Sequence, residues 1–174
     1  LAAKYARENR VPYFGICLGM QIAVIEYARN VAGIRDAHSG EFDELCKNKV
    51  INFMPGQSDD IDKGGTLRLG AYPCVIKENT TMQRCYGTLE ISERHRHRYE
   101  FNNDYKAQYE AAGMKCVGIN PESDLVEIVE IPAFLRRRAI PSRIQVTPQP
   151  RASIVQRVYR SRAAKIVPTA VIFC

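Results

Sequence analysis

No acidic residue follows Glu130, although nine basic ones do: Arg136, Arg137, Arg138, Arg143, Arg151, Arg157, Arg160, Arg162 and Lys165. The chain has 25 basic residues in all, so residues 1–130 carry 16 against 19 acids and are mildly acidic at −3. The overall charge of +6 therefore hides an abrupt change of character near Ile131. Such a break marks a tail with its own partner or a foreign segment. No apolar run is long enough to span a bilayer, and the start (LAAKYARENR) lacks the pattern of a signal peptide. There is no CxxC pair and no clustered set of histidine ligands; the six cysteines, at 17, 46, 74, 85, 116 and 174, are scattered. That spacing argues against a zinc site or a dense disulfide framework and points to a reducing cytosol. The segment GGTLRLG at 64–70 has neither the spacing nor the lysine of a phosphate-binding loop and reads as a turn feeding a strand. No internal repeat is evident.

The chain is 174 residues long, 45% apolar and 25% charged, enough for one soluble domain with a real core. Its first residues read as the middle of a helix, so the chain is expected to begin inside a larger protein. A helix over 1–9 leads to a strand over 11–16, a sharp turn, and a helix over 18–31. Residues 35–44 read as a polar loop and 49–54 as a strand. Strand-like stretches at 66–70 and 71–76 precede the polar ENTT turn, and 89–100 contains ERHRHRYE. A helix over 105–112 stops at Gly113, a natural C-cap. Strands at 114–119 and 125–131 flank the turn Asn120-Pro121-Glu122-Ser123. This mixture predicts an α/β fold with helices packed on a central sheet.

The most informative segment is Gly15-Ile16-Cys17-Leu18-Gly19. A cysteine between a short strand and a helix occupies the geometry of a nucleophile elbow. The helix N-terminus favours a thiolate, and flanking glycines allow strained backbone and close approach of a substrate. The plainer use of such a cysteine is as a small buried hydrophobe. Glu93-Arg94-His95-Arg96-His97-Arg98-Tyr99 is the second unusual run. Strand alternation puts Arg94, Arg96 and Arg98 on one face and both histidines on the other. Arginine rows suit capture of carboxylate or phosphate, though a solvated edge strand looks the same. His95 or His97 offers a base for Cys17, but histidines in structural roles are commoner.

FGICLGMQ, the loop acid Glu41, GGTLRLG, ERHRHRYEFN and LVEIVE, in that order, resemble the class I glutamine amidotransferase domain of the CTP synthases. The resemblance covers residues 1 to about 131. It implies a flavodoxin-like α/β fold, a central and mostly parallel sheet with helices on both faces, here incomplete. It also implies that Cys17 attacks the side-chain amide of glutamine, forms a thioester and releases ammonia. Leu18, Gly19, Met20 and Gln21 would line the glutamine pocket, with the amide after Cys17 facing the oxyanion. Glu41 would bind the substrate amino group and Arg98 its carboxylate, and no metal is implied in this domain. The implied partner is an N-terminal synthetase domain, preceding Leu1, that uses ATP and magnesium to aminate UTP within a cytoplasmic homotetramer. A glycine-rich loop completing the oxyanion hole would also lie upstream.

One element of the resemblance is missing. Class I amidotransferases need a His-Pro-Glu segment near the C-terminus, and the only histidines here are His38, His95 and His97. From about Ala133 (AFLRRRAIPSRIQVTP) nothing matches the family. Permitted codons for Ala133–Pro148, read one base later, spell P-F-F-V-A-V-Q-F-H-P-E-Y-K-S-R-P. Residues 132–174 are therefore read as a frame-displaced, non-family tail that packs poorly. The chain is then expected to hydrolyse glutamine very slowly or not at all. A non-catalytic glutamine-binding module would bind glutamine without releasing ammonia. A nucleic-acid-binding tail, the least favoured reading, would show salt-dependent affinity lost on truncation after Glu130. Its only aromatic residues before Phe173 are Phe134 and Tyr159.

Overall fold

The computed structural model describes residues 1–53, 68–132 and 170–173. Helix α1 (Ala2–Asn9) ends at Arg10, whose φ of 55° turns the chain towards β1 (Phe14–Ile16). Helix α2 (Leu18–Asn30) follows, burying Met20, Ala23, Val24, Tyr27 and Ala28 at the three-and-four spacing of a helix lying on a sheet. Next come β2 (Ala37–Ser39), β3 (Asn48–Phe53), β4 (Arg68–Ile76), α3 (Thr81–Tyr86), β5 (Glu90–His97) and β6 (Tyr99–Phe101). A 3-10 turn (Asn103–Tyr105), α4 (Lys106–Ala111), β7 (Lys115–Ile119), β8 (Val126–Ile131) and β9 (Ala170–Phe173) complete the described elements. None of the described helices is long and apolar enough to cross a membrane.

Six strands form one sheet in the order β1-β9-β8-β7-β4-β5, and β2-β3-β6 form a second. Successive side chains of β7 separate two cores. Cys116 joins Ala3 and Ala6 of α1, the α2 stripe and Tyr109 of α4, whereas Val117 joins Met82 of α3, Cys74 and Ile128. Helices thus cover both faces, as expected. The mostly parallel sheet needs correction: among the described ladders only β1–β9 and β2–β3 are parallel. The pairs β3–β6, β4–β5, β4–β7, β7–β8 and β8–β9 are antiparallel. Chain connection explains part of this, because parallel neighbours need a crossover of a dozen or more residues. Strands β7 and β8 are instead joined by the tight turn at 120–125, closed by Asn120 N–H to Leu125 O at 2.9 Å.

Three local readings also change. The stretches 66–70 and 71–76 belong, from Arg68 on, to one strand, in which Gly70 takes a φ of 118°. The polar ENTT turn leads directly into α3. The Thr80 hydroxyl accepts from Gln83 N–H at 3.1 Å, while Gln83 Oε1 accepts from Asn79 N–H at 2.7 Å. That Thr-x-x-Gln spacing is a helix-start signal. Residues 35–44 include the short strand β2. The reading of 132–174 as a poorly packed tail lies mostly outside the described residues. At Ala170–Phe173 the structure differs from it, because this segment pairs with both β1 and β8. Backbone ladder bonds need only extended chain, and open strand edges recruit segments such as Ala-Val-Ile-Phe.

Candidate active site

The turn between β1 and α2 is built by sterics. A Cβ on Gly15 would lie 2.6 Å from the Gly19 carbonyl carbon and 2.9 Å from the Tyr13 ring. Only glycine lets the strand end meet the helix start this closely. The Tyr13 hydroxyl then donates to Gly19 O at 2.9 Å, fixing the two limbs. Gly15→Ala should accordingly cost about 1–3 kcal/mol by overpacking. Urea unfolding would measure the cost, and slower alkylation of Cys17 would report displacement of the turn.

Cys17 caps α2 with φ 56° and ψ −116°, a left-handed backbone that non-glycine residues rarely hold. Its carbonyl accepts from Met20 N–H at 3.0 Å and Gln21 N–H at 3.2 Å, so the helix begins here while the thiol stands exposed. Strain kept at a helix N-terminus, beneath an exposed nucleophile, is the pattern of a functional site. Leu18 and Gly19 supply the first helical amides, which have no intrahelical acceptor. The other two residues assigned to the pocket turn away. Met20 is fully buried in the core, and Gln21 is buried with Nε2 donating to Tyr99 O at 3.0 Å. Of the run Leu18–Gln21, only the Leu18 and Gly19 side of the helix start is open to solvent here.

Along β5 the expected alternation appears: Arg94 and Arg96 are exposed, His95 is buried and His97 half-buried. The face holding the histidines points at the elbow, with His97 Nε2 2.8 Å from Cys17 Sγ. Burial, then His95 and Arg68 close by, hold the His97 pKa below the ordinary 6.5, with Glu127 opposing weakly. Directly after His97, Arg98 leaves the sheet and places Nη2 4.0 Å from Glu41 Oε1. Both of these side chains are partly exposed, so a charge of each sign stands open to solvent, Arg98 next in the chain to the His97 that touches the thiol.

Behind His97 lies a buried polar cluster that sequence reasoning missed. Arg68, only 4% exposed, donates from Nη1 to Glu100 at 3.2 Å and from Nη2 to Glu127 at 2.6 Å. Its guanidinium also stacks 4.2 Å from the Tyr72 ring centre. Asn120 Nδ2 donates to Glu127 at 3.2 Å. His95 Nε2 is 3.2 Å from the other Glu127 oxygen, close enough for electrostatic contact but outside hydrogen-bond geometry. Burial pushes the Glu127 pKa up, but His95 and Arg68 outweigh it and leave the carboxyl below its ordinary value. Donor atoms of His95, His97 and Glu100 converge within 4.8 Å of one another, the grouping of a metal site. Here the Arg68 guanidinium already supplies a positive charge between Glu100 and Glu127, forming a buried ion-pair network. The usable signal was LVEIVE, an apolar strand interrupted by two acids, since buried acids must be paired. Its second acid, Glu130, accepts from Met82 N–H at 2.9 Å at the start of α3.

A strained, exposed cysteine at a strand-to-helix turn of an α/β sheet is the arrangement that thiol-dependent acyl-transfer enzymes use. The family profile "Glutamine amidotransferase class-I" matches residues 1–134, and the chain belongs to that family. Within it, the chain is 63% identical over 134 residues to the CTP synthase of Bacteroides thetaiotaomicron, a match covering 77% of this chain and 25% of that protein. It is 60% identical over 131 residues to a CTP synthase of Staphylococcus aureus, covering 75% of this chain and 24% of that one. The chain thus spans about a quarter of the length of these relatives. Among solved structures it is similar to the glutaminase domain of Trypanosoma brucei CTPS with bound acivicin, at 38% identity and a TM-score of 0.70. That likeness covers 76% of this chain and 52% of the other.

Proposed function

We propose that this chain is the glutamine-hydrolysing part of a CTP synthase. In the whole enzyme that part would release ammonia from glutamine for the ATP- and magnesium-dependent amination of UTP by a synthetase domain, within a cytoplasmic homotetramer; lacking His-Pro-Glu, this chain alone would do so slowly at most. The observation that carries this reading is the strained, exposed Cys17 touched by His97, whose chain neighbour Arg98 faces Glu41. Glutamine is a zwitterion, and a bound zwitterion needs one fixed charge of each sign. In the proposed complex Arg98 holds the α-carboxylate and Glu41 the α-ammonium, which places the side-chain amide at the thiol. Cys17 attacks the amide carbon, and the N-terminal amides of α2 stabilise the oxyanion. The family match ends at residue 134, which supports reading the later residues as a displaced frame. Coding DNA lacking His-Pro-Glu in every register would refute that reading.

The test is covalent labelling of the full chain by acivicin, read by mass spectrometry. Labelling confined to Cys17 and slowed by glutamine is the expected result; labelling indifferent to glutamine would overturn the proposal. Arg98→Ala and Glu41→Ala should each weaken protection by glutamine about 10- to 100-fold, the worth of one charged hydrogen bond. Both side chains are partly exposed, so the denaturation midpoint should barely move.

A further inference from the structure

We infer that His97 is the general base of this chain, taking the proton of Cys17 through Nε2. The contact itself is 2.8 Å, direct, and spans 80 residues of sequence. Only the choice of glutamine as substrate rests on the function proposed above; activation of the thiol does not. His97 stands where a base must stand, within hydrogen-bond reach of the proton it removes. Its other nitrogen, Nδ1, is buried and makes no hydrogen bond among the described residues. Packing holds the ring instead, with His95 edge-on at 5.7 Å between centres. The groups facing it are Cys17 from the turn before α2, Arg68 from β4, His95 from β5, Glu100 from β6 and Glu127 from β8. Arg68 and His95 disfavour a resting imidazolium, so His97 waits neutral and able to accept. Glu127 and Glu100 temper the positive charge once the proton arrives.

The steps balance. The Cys17 S–H proton passes to His97 Nε2, and the thiolate sulfur bonds to the amide carbon of glutamine. His97 returns the proton to the nitrogen as the C–N bond breaks, leaving ammonia and a thioester. Water then adds to the thioester, giving its proton to His97, and the C–S bond breaks to release glutamate. His97 passes that proton back to the sulfur, and the cycle closes.

The experiment follows alkylation of Cys17 between pH 5 and 9, with iodoacetamide and with acivicin, on the full chain. The wild-type rate should level off above an inflection lying below pH 6.5, where His97 gives up its proton. A rate that instead climbs tenfold per pH unit through this range, without inflection, overturns the inference on the wild-type chain alone. His97→Asn and His97→Gln should lose the inflection and slow ammonia release at pH 7 by about 10²–10⁴-fold. Added imidazole should restore part of that rate. Wild-type rates and profile in either variant would equally overturn the assignment. Acivicin reacting no faster than iodoacetamide, with no protection by glutamine, would refute the glutaminase reading. The iodoacetamide profile would still decide the role of His97.

Discussion

Arg68→Ala should destabilise the chain by about 3–5 kcal/mol, the usual cost of removing one partner from a buried ion pair. The reason is what the guanidinium leaves behind. Glu100 and Glu127 are each 2% exposed and both take hydrogen bonds from Arg68. Without it, two buried carboxylates face each other with one cation fewer, and water cannot reach them. Arg68→Lys should recover less than half of the loss, since an ammonium cannot bridge two carboxylates in a planar fork. Urea unfolding of the three proteins measures both numbers; a loss under 1 kcal/mol for Arg68→Ala would show that the cluster is solvated. The same network sets an acid limit. The Glu127 pKa is depressed in the folded chain, so its contribution is present above the ordinary carboxylate range. It is lost as pH falls through the lower folded value. Glu127→Gln should therefore flatten the decline of stability below pH 4.5.

Cys17→Gly should abolish labelling by acivicin together with the residual ammonia release, as removal of a nucleophile does. It should at the same time raise stability by about 1 kcal/mol. Residue 17 holds a φ of 56°, which costs a cysteine about 1–3 kcal/mol and a glycine almost nothing. Glycine's greater freedom in the unfolded chain takes back part of that gain. Parallel thermal denaturation and ammonia assays decide it. A variant that loses both activity and stability would mean that the thiol side chain is a packing element and its strain incidental.

The local pieces of this site were readable because local patterns encode them. The Gly-x-Cys-x-Gly run announces a tight turn before a helix, and Gly15 proves indispensable because the Gly19 backbone lies against it. Alternation in Arg94–His97 follows from the two-residue period of a strand, and the burial pattern of β5 repeats it. The missed elements have equally physical causes. Helix α3 is only six residues long, so no periodicity could betray it, and its start signal was the Thr80–Gln83 spacing. The family resemblance implies a pocket lined by Leu18 to Gln21, a run that follows Cys17 along α2. A helix turns each residue by about 100°, and that rotation carried Met20 and Gln21 into the core.

The sequence by itself determined the cysteine turn before α2, the sides of the strand on which arginines and histidines fall, and the family to which the chain belongs. Only the tertiary structure decided what those groups meet. His97 reaches Cys17 from 80 residues away, and Arg98 reaches Glu41. Arg68 sits opposite His97 in the β4–β5 register and so becomes the buried cation behind the site. Periodicity depends on a residue's nearest neighbours and can be read from them. Strand order and register depend on which edges pair across the whole chain, and no local pattern records that.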